Sequence, residues 1–334
     1  MRMTVAAAAL CSAISFAMPA AAQEGETPPP PQIIDVHFHA MLEGRAGAST
    51  CPNPQQFLAT DPADENPSPF GWSGEDCTPR LYSAEGRAYF EQLLAEMERL
   101  NVIAVVFGDP ESVRAYEEAA PDRVIMGTSF AMDPATDRDE ELARLEELFT
   151  DGGFEVMGEI GLQYAGMSPS DMAVDDFFAL AERLDVPVAV HMGTGGSGRA
   201  NLFMPSFRAS MGDPLLLENL LARHPKLRVQ IMHAGYPMID NLLALLAANS
   251  HTYVDIAGLI WSYPIEEVNR YIERIVDAGF GDRVMFGTDQ MVWPGLMAYS
   301  VSIIQNADYL SPDQKRDILY NNAARFLRLD GEGQ

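Results

Sequence analysis

Two histidines one residue apart, in Asp35-Val36-His37-Phe38-His39, are the first residues of the chain that could do chemistry together. On an extended strand, side chains two apart point the same way. His37 and His39 should therefore share one face, with Val36 and Phe38 turned toward helices on the other. Two adjacent imidazoles make half of a metal site. Four further groups end or interrupt apolar runs in the same manner. Glu159 lies inside Val156-Met157-Gly158-Glu159-Ile160-Gly161, where a carboxylate must be neutralised, paired or bound to a cation, because burying it alone is costly. His191 follows Val186-Pro187-Val188-Ala189-Val190, His233 follows Val229-Gln230-Ile231-Met232, and Asp289 follows Val284-Met285-Phe286-Gly287-Thr288. Any one of these reads more simply as a hydrogen-bonded core histidine or a helix-capping aspartate. Together, on the ends of several runs, they read as a metal centre. His224 and His251 fall away from these ends and read as ordinary surface residues.

The elements that must position these groups are short β-branched runs alternating with amphipathic stretches, the pattern of βαβ units and a parallel sheet. Eight such runs cover residues 32–39, 102–108, 124–130, 156–161, 186–191, 227–233, 252–257 and 283–289. Helices are expected between them, among others over 91–100, 140–149, 214–223 and 265–278, and a last one starts at Ser311 as N-cap with Pro312 and Asp313 in its first turn. Eight strands, each followed by a helix, predict an α/β fold of one (β/α)8 TIM barrel. A doubly wound open sheet competes, but no G-x-G-x-x-G follows the first strand. Two connections, 40–83 after strand one and 193–212 after strand five, are long enough to be functional lids, and both leave from the face that carries active sites in this fold.

Residues 1–22 have a positive start at Arg2, a short apolar run and an Ala20-Ala21-Ala22 ending, the pattern of a secretory signal peptide. Residues 23–32 form an acidic, proline-rich linker, and the barrel is expected over 33–330. The protein is thus expected to be periplasmic or secreted, with no membrane insertion once the signal is removed. Outside the signal, Cys51 and Cys77 are the two cysteines and are expected to form a disulfide in an oxidising compartment, two free buried thiols being the alternative. The formal charge of −26 disfavours nucleic acid, anionic membranes and polyanionic substrates. A small-molecule substrate is the expected partner, and association into a homo-oligomer stays open.

In order and spacing, Asp35-Val36-His37-Phe38-His39, Gly158-Glu159-Ile160-Gly161, His191, His233-Ala234-Gly235, Gly287-Thr288-Asp289 and Asn322-Ala323-Ala324-Arg325 resemble the amidohydrolase superfamily. The branch resembled is the amidohydrolase-related one that also contains the aminocarboxymuconate-semialdehyde decarboxylases. The resemblance implies that His37, His39, His191 and Asp289 hold a divalent metal, usually zinc, with water completing the shell. Imidazole and carboxylate donors suit zinc or manganese on chemical grounds as well. Asp289 would take the proton of the metal-activated water, and His233 would polarise the substrate carbonyl or protonate the leaving group. A lysine bridge between two metals is excluded, since Lys226 and Lys315 are the only lysines and neither ends a strand. Glu159 either bridges to a second ion held by His191 and His233 or orients a ligand from behind. One ion is favoured.

The lids should carry specificity. A glycine-rich turn from Gly193 to Arg199 could offer N–H groups and a guanidinium to a carboxylate, the alternative being a lid with no anion site. Trp261, Tyr263, Trp293 and Trp72 would form an aromatic wall, unless they serve core packing. The leading expectation is an exported, metal-dependent hydrolase of a small lactone, ester or amide. Non-oxidative decarboxylation of an aromatic or unsaturated carboxylate is the second reading, and a non-catalytic metal- or ligand-binding barrel the third.

Overall fold

The β-branched runs form strands where alternation predicts them. In the computed structural model they are β1 (Ile33–His39), β2 (Val102–Phe107), β3 (Val124–Thr128), β4 (Val156–Ile160), β5 (Val188–His191), β6 (Val229–Met232), β7 (Thr252–Asp255) and β8 (Val284–Met285). The structure describes residues 30–55, 57, 59, 61, 63, 77–131, 135–195, 198–202 and 204–329. The expected leader over 1–22, most of the linker over 23–32, and Trp72 lie outside the described residues.

Each strand pairs in parallel with the next, from β1 through β8. The seam between β8 and β1 is closed by backbone bonds. Val36 N donates to Phe286 O at 3.0 Å, Asp289 N to His37 O at 2.9 Å and His39 N to Gln290 O at 3.2 Å, and Phe38 pairs in parallel with Gln290. The result is an eight-stranded barrel ringed by α1 (Arg87–Leu100), α2 (Pro110–Ala119), α3 (Arg138–Thr150), α4 (Asp175–Leu184), α5 (Glu218–Arg223), α6 (Ile239–Ala248), α7 (Ile265–Ile275) and α8 (Gly295–Asn306).

Local chemistry sets where helices begin. Asp109 caps α2 by accepting from Ser112 N, and Pro110 follows it at a position whose N–H is not needed. Asp137 caps α3 through Asp139 N and Glu140 N. Each such cap contributes about 1 kcal/mol. The expected start at Ser311 is a full capping box with Gln314, and the helical segment it opens runs across residues 312–327.

Two apolar layers hold the barrel. In one, Val102, Ala104 and Val106 of β2 pack with helix residues such as Tyr89, Leu93 and Met97 of α1. In the other, the intervening Val105 and Phe107 meet Ile125, Val156, Ala189 and Met285 inside the barrel. Strict alternation fails in β4, where Met157 and Ile160 both pack in the outer layer across a register shift, and in β1. Phe38 faces the helices as expected, with its ring 5.7 Å from Tyr116, but Val36 packs in the inner layer with Ile34. The register of β1 against β2 shifts between Asp35 and Phe38, which breaks the two-residue period there.

Cys51 and Cys77 form the expected disulfide, with Cα atoms 5.8 Å apart. His224 is not a surface residue. It is buried at the end of α5, with Nε2 3.0 Å from Asp175 Oδ1 and Nδ1 3.5 Å from Glu182 Oε2, because a histidine closing a short helix here meets two carboxylates of α4. His251 is half-buried, with its Nε2 enclosed. No helix among the described residues is long and apolar enough to cross a membrane.

Candidate metal centre

All six side chains singled out by the sequence converge at the C-terminal mouth of the barrel. Glu159 is the hub, and its two oxygens face different histidine pairs. Oε2 lies 3.3 Å from His39 Nε2 and 3.7 Å from His37 Nε2. Oε1 lies 3.9 Å from His191 Nε2 and 4.0 Å from His233 Nε2. Asp289 stands on the first side, with Oδ1 3.0 Å from His39 Nε2 and 3.7 Å from His37 Nε2. The grouping differs from the expected quartet of His37, His39, His191 and Asp289. His191 joins His233 across the second oxygen of Glu159, while His37, His39 and Asp289 gather on the first.

Short-range supports fix the tautomers on the second side. His191 Nδ1 is 3.1 Å from Gln163 Oε1. The Gln163 amide nitrogen donates to Gly193 O and Arg208 O, so its oxygen must be the acceptor and His191 must carry its proton on Nδ1. His233 Nδ1 likewise donates to Ala257 O at 2.7 Å. Both imidazoles therefore present a bare Nε2 to Glu159 when neutral.

On the first side the supports are ionic. Asp255 Oδ2 is 3.4 Å from His37 Nδ1 and also accepts from Gln230 Nε2 at 2.6 Å, while Asp255 Oδ1 accepts from His233 N and Ala257 N. Asp35 is fully buried and accepts from His37 N, Thr288 N and Thr288 Oγ1, fastening the strand that carries His37 to the segment after β8 that carries Asp289. Burial pushes the Asp35 carboxyl up to about 7, against these hydrogen bonds.

The backbone aims two of the six groups. His233 and Asp289 both have φ of 55°, the left-handed region that non-glycine residues enter at some cost and that recurs at functional sites. Gly258 stands between them with φ of 65°. A Cβ there would lie 2.8 Å from His233 Nδ1 and 2.9 Å from Asp289 Oδ2, so only glycine fits.

The charges are balanced for a cation. Burial lowers the affinity of His37 for a proton, but Asp255, Glu159 and Asp289 outweigh it and hold the imidazole well above its ordinary range. Burial would raise Glu159, yet the surrounding histidines drive it well below the usual carboxylate range. Asp289 is lowered by His39, His37 and His233 in spite of burial. His191 is pushed down to about 3 by burial and by neighbouring His233. Both ring nitrogens of His37 are buried without a hydrogen-bond partner among the described residues. Leaving buried polar atoms unpaired costs about 1–3 kcal/mol each. A divalent cation shared by His37, His39, Glu159 and Asp289 would satisfy Nε2, while Nδ1 faces Asp255, and the donor set fits one. Three overlapping triads lie within coordination reach: His37, His39 and Glu159; Glu159, His191 and His233; and His37, His233 and Asp255.

A cavity of about 320 Å³ opens over the centre. The expected substrate residues Arg199, Trp261, Tyr263 and Trp293 all line it. Trp261 is also structural, donating its indole N–H to Thr288 O at 2.7 Å. The Arg199 guanidinium lies 5.0 Å from the centroid of the Tyr164 ring and carries no ion pair among the described residues. Residues 196 and 197 of the glycine-rich lid lie outside the described residues. Tyr164, Tyr236, Phe57 and Arg45 in the wall, and Gln163, Asp255 and Asn53 behind it, were not among the residues expected from the sequence. Asp255 carried the same signal as Glu159, a carboxylate inside an apolar run. Gln163 lay in a loop and carried none.

A family model described as Amidohydrolase matches residues 34–329. No curated protein matches the sequence. Several solved structures share the fold. An uncharacterised TIM-barrel protein from Bordetella bronchiseptica aligns with a TM-score of 0.58 at 20% identity, over 71% of this chain and 82% of its own. A probable 2-pyrone-4,6-dicarboxylic acid hydrolase from Acinetobacter baumannii, with citric acid bound, aligns with a TM-score of 0.55 at 14% identity, over 89% of this chain and 99% of its own. A dihydroxybenzoic acid decarboxylase from Polaromonas sp., with bound manganese and the inhibitor 2-nitroresorcinol, aligns with a TM-score of 0.53 at 14% identity, over 78% of this chain and 88% of its own.

Proposed function

The chain belongs to the amidohydrolase family, and from that premise we propose that it is a metal-dependent hydrolase of a small lactone, ester or amide that also bears a carboxylate. The observation that carries this reading is the double engagement of Glu159, one oxygen to each histidine pair, with Asp289 alongside under an open cavity. His37, His39, Asp289 and one oxygen of Glu159 would hold one divalent cation. His191, His233 and the other oxygen have the donors for a second. The sequence favoured one ion; the two-sided Glu159 favours two. Zinc and manganese both suit the donors. When bound, such a cation lowers the pKa of water and polarises a carbonyl.

The chain's own groups supply the rest. Asp289, held as a carboxylate by the histidines around it, is placed to accept the proton of an attacking water. His233 Nδ1 is committed to Ala257 O, so Nε2 is its one free ring nitrogen; it would either ligate the second cation or, with a single cation bound, accept a proton and then pass it to the leaving group. Arg199 faces the cavity without an ion-pair partner among the described residues and suits a substrate carboxylate. Trp261, Tyr263, Trp293 and Tyr164 would hold a flat, unsaturated body. The disulfide and the expected leader support a periplasmic or secreted location.

The same aromatic wall and arginine favour, as a second reading, decarboxylation of an aromatic acid. One experiment separates the two. Metal-reconstituted protein is offered lactones, esters, amides and aromatic acids in ¹⁸O-water, with Asp289→Asn as control. Hydrolysis places ¹⁸O in the product. Release of CO₂ from an aromatic acid without ¹⁸O in the organic product would transfer the assignment to the decarboxylases. Bound metal with no turnover of any substrate, and no difference between the parent and the control, would leave a binding barrel.

A further inference from the structure

Asn53 stands outside the metal centre, two residues beyond Cys51 in the first lid, yet its hydrogen bonds reach two other parts of the molecule, the turn after β7 that carries part of the cavity wall and helix α8. Its backbone N donates to Trp261 O at 2.6 Å. Its Nδ2 donates to Ile260 O at 3.1 Å and to Tyr263 O at 2.6 Å. Its Oδ1 accepts from the Tyr299 hydroxyl of α8 at 2.7 Å. The side chain is 7% exposed. The backbone sits at φ 51°, a conformation that asparagine tolerates better than other residues with a Cβ.

The partners explain why these bonds matter. Residues Leu259–Ser262 form a single helical turn after β7. A turn so short leaves its carbonyls without donors of its own. Asn53 supplies them from another segment and so caps the turn in trans. That turn carries Trp261, whose indole holds the carbonyl immediately before Asp289. It is followed by Tyr263, whose hydroxyl meets Thr194 Oγ1 at 2.7 Å in the second lid and whose ring packs on Tyr236 and Phe57 at centroid distances of 4.3 and 5.5 Å. The Cys51–Cys77 bond fixes the lid segment that presents Asn53.

We infer that Asn53 is a positioning residue that sets specificity: by capping the Leu259–Ser262 turn it fixes the Trp261 and Tyr263 wall against the metal centre, and so determines which flat substrates fit. This rests on the reading of the cavity as the substrate site. The residue touches neither substrate nor metal.

The test has an arm that needs no substrate. Trp72→Phe leaves Trp261 and Trp293 as the emitting indoles of a chain with three tryptophans. In that background Asn53→Asp keeps the shape but turns an oxygen toward two carbonyls, and Asn53→Gly removes the side chain while keeping φ accessible. Both variants should red-shift the emission and raise acrylamide quenching about threefold or more as the wall loosens. Tyr299→Phe, which loses one bond of the set, should fall between them and the parent. On any substrate found by the screen above, KM should rise roughly tenfold with kcat within about threefold, and bound metal should be unchanged. Unaltered emission and quenching in folded Asn53→Gly protein would overturn the inference whether or not a substrate is known. So would a fall in melting temperature with KM unmoved, the mark of a purely structural asparagine. If Asn53→Asp fails to fold, the other two variants decide.

Discussion

The two halves of the candidate metal centre are built by different means. His191 and His233 are each tied by a neutral acceptor, Gln163 Oε1 and Ala257 O, so their Nε2 atoms are bare and aimed before any cation arrives. His37 and His39 come from one strand and are surrounded by carboxylates, with the His37 nitrogens in ion-pair range of Asp255, Glu159 and Asp289 but without a close hydrogen bond among the described residues. One half is preorganised by hydrogen bonds to neutral groups. The other is held by charge and is complete only around a cation. A candidate centre built this way is expected to keep its shape on the Gln163 side with or without a cation, and to depend on one on the ionic side.

The two halves meet at Glu159, and the severest change is there. Glu159→Ala removes the carboxylate that both halves share, so metal measured by elemental analysis should fall in both and activity should disappear into the background. Asp289→Asn touches only the ionic half and keeps its shape. Turnover should drop by about 10²–10⁴-fold, as for a lost general base, while the metal content of the His191 side stays. Gln163→Leu strikes only the preorganised half. Metal affinity there should weaken about 10–100-fold in a chelator competition, with the His37 side unaffected. Equal losses in both halves would show that the two are not separable. Gly258→Ala presses on His233 and Asp289 together and forces a Cβ into a left-handed position, costing about 1 kcal/mol or more in urea unfolding along with activity. Least for the centre, and most for the lid, is Cys51→Ser. It should cost about 3 kcal/mol of stability by loop entropy and leave metal in both halves intact.

Much of this was legible in the sequence because strand periodicity is local. The runs ending in His191, His233 and Asp289 named their own strands, and placing them at the C-terminal ends placed them on one rim once eight strands closed. Alternation failed where the registers of β1 and β4 slip, turning Val36 inward and placing Met157 and Ile160 in the same outer layer. Glu159 was found because an acid amid apolar residues has to be compensated. That its two oxygens serve different pairs depends on a rotamer and on the distance across the barrel, and neither is written in the run around it.

The amino-acid order by itself determined the barrel, the six groups and the rim, because each rests on short-range pattern and on the energetic penalty of burying charge. The tertiary structure alone decided how those groups are shared out, which carboxylate stands behind which imidazole, and that Asn53 caps a turn more than two hundred residues away. Such pairings are set by which loops meet above the mouth. A contact made only after the cylinder closes leaves no mark on the residues beside it in the chain.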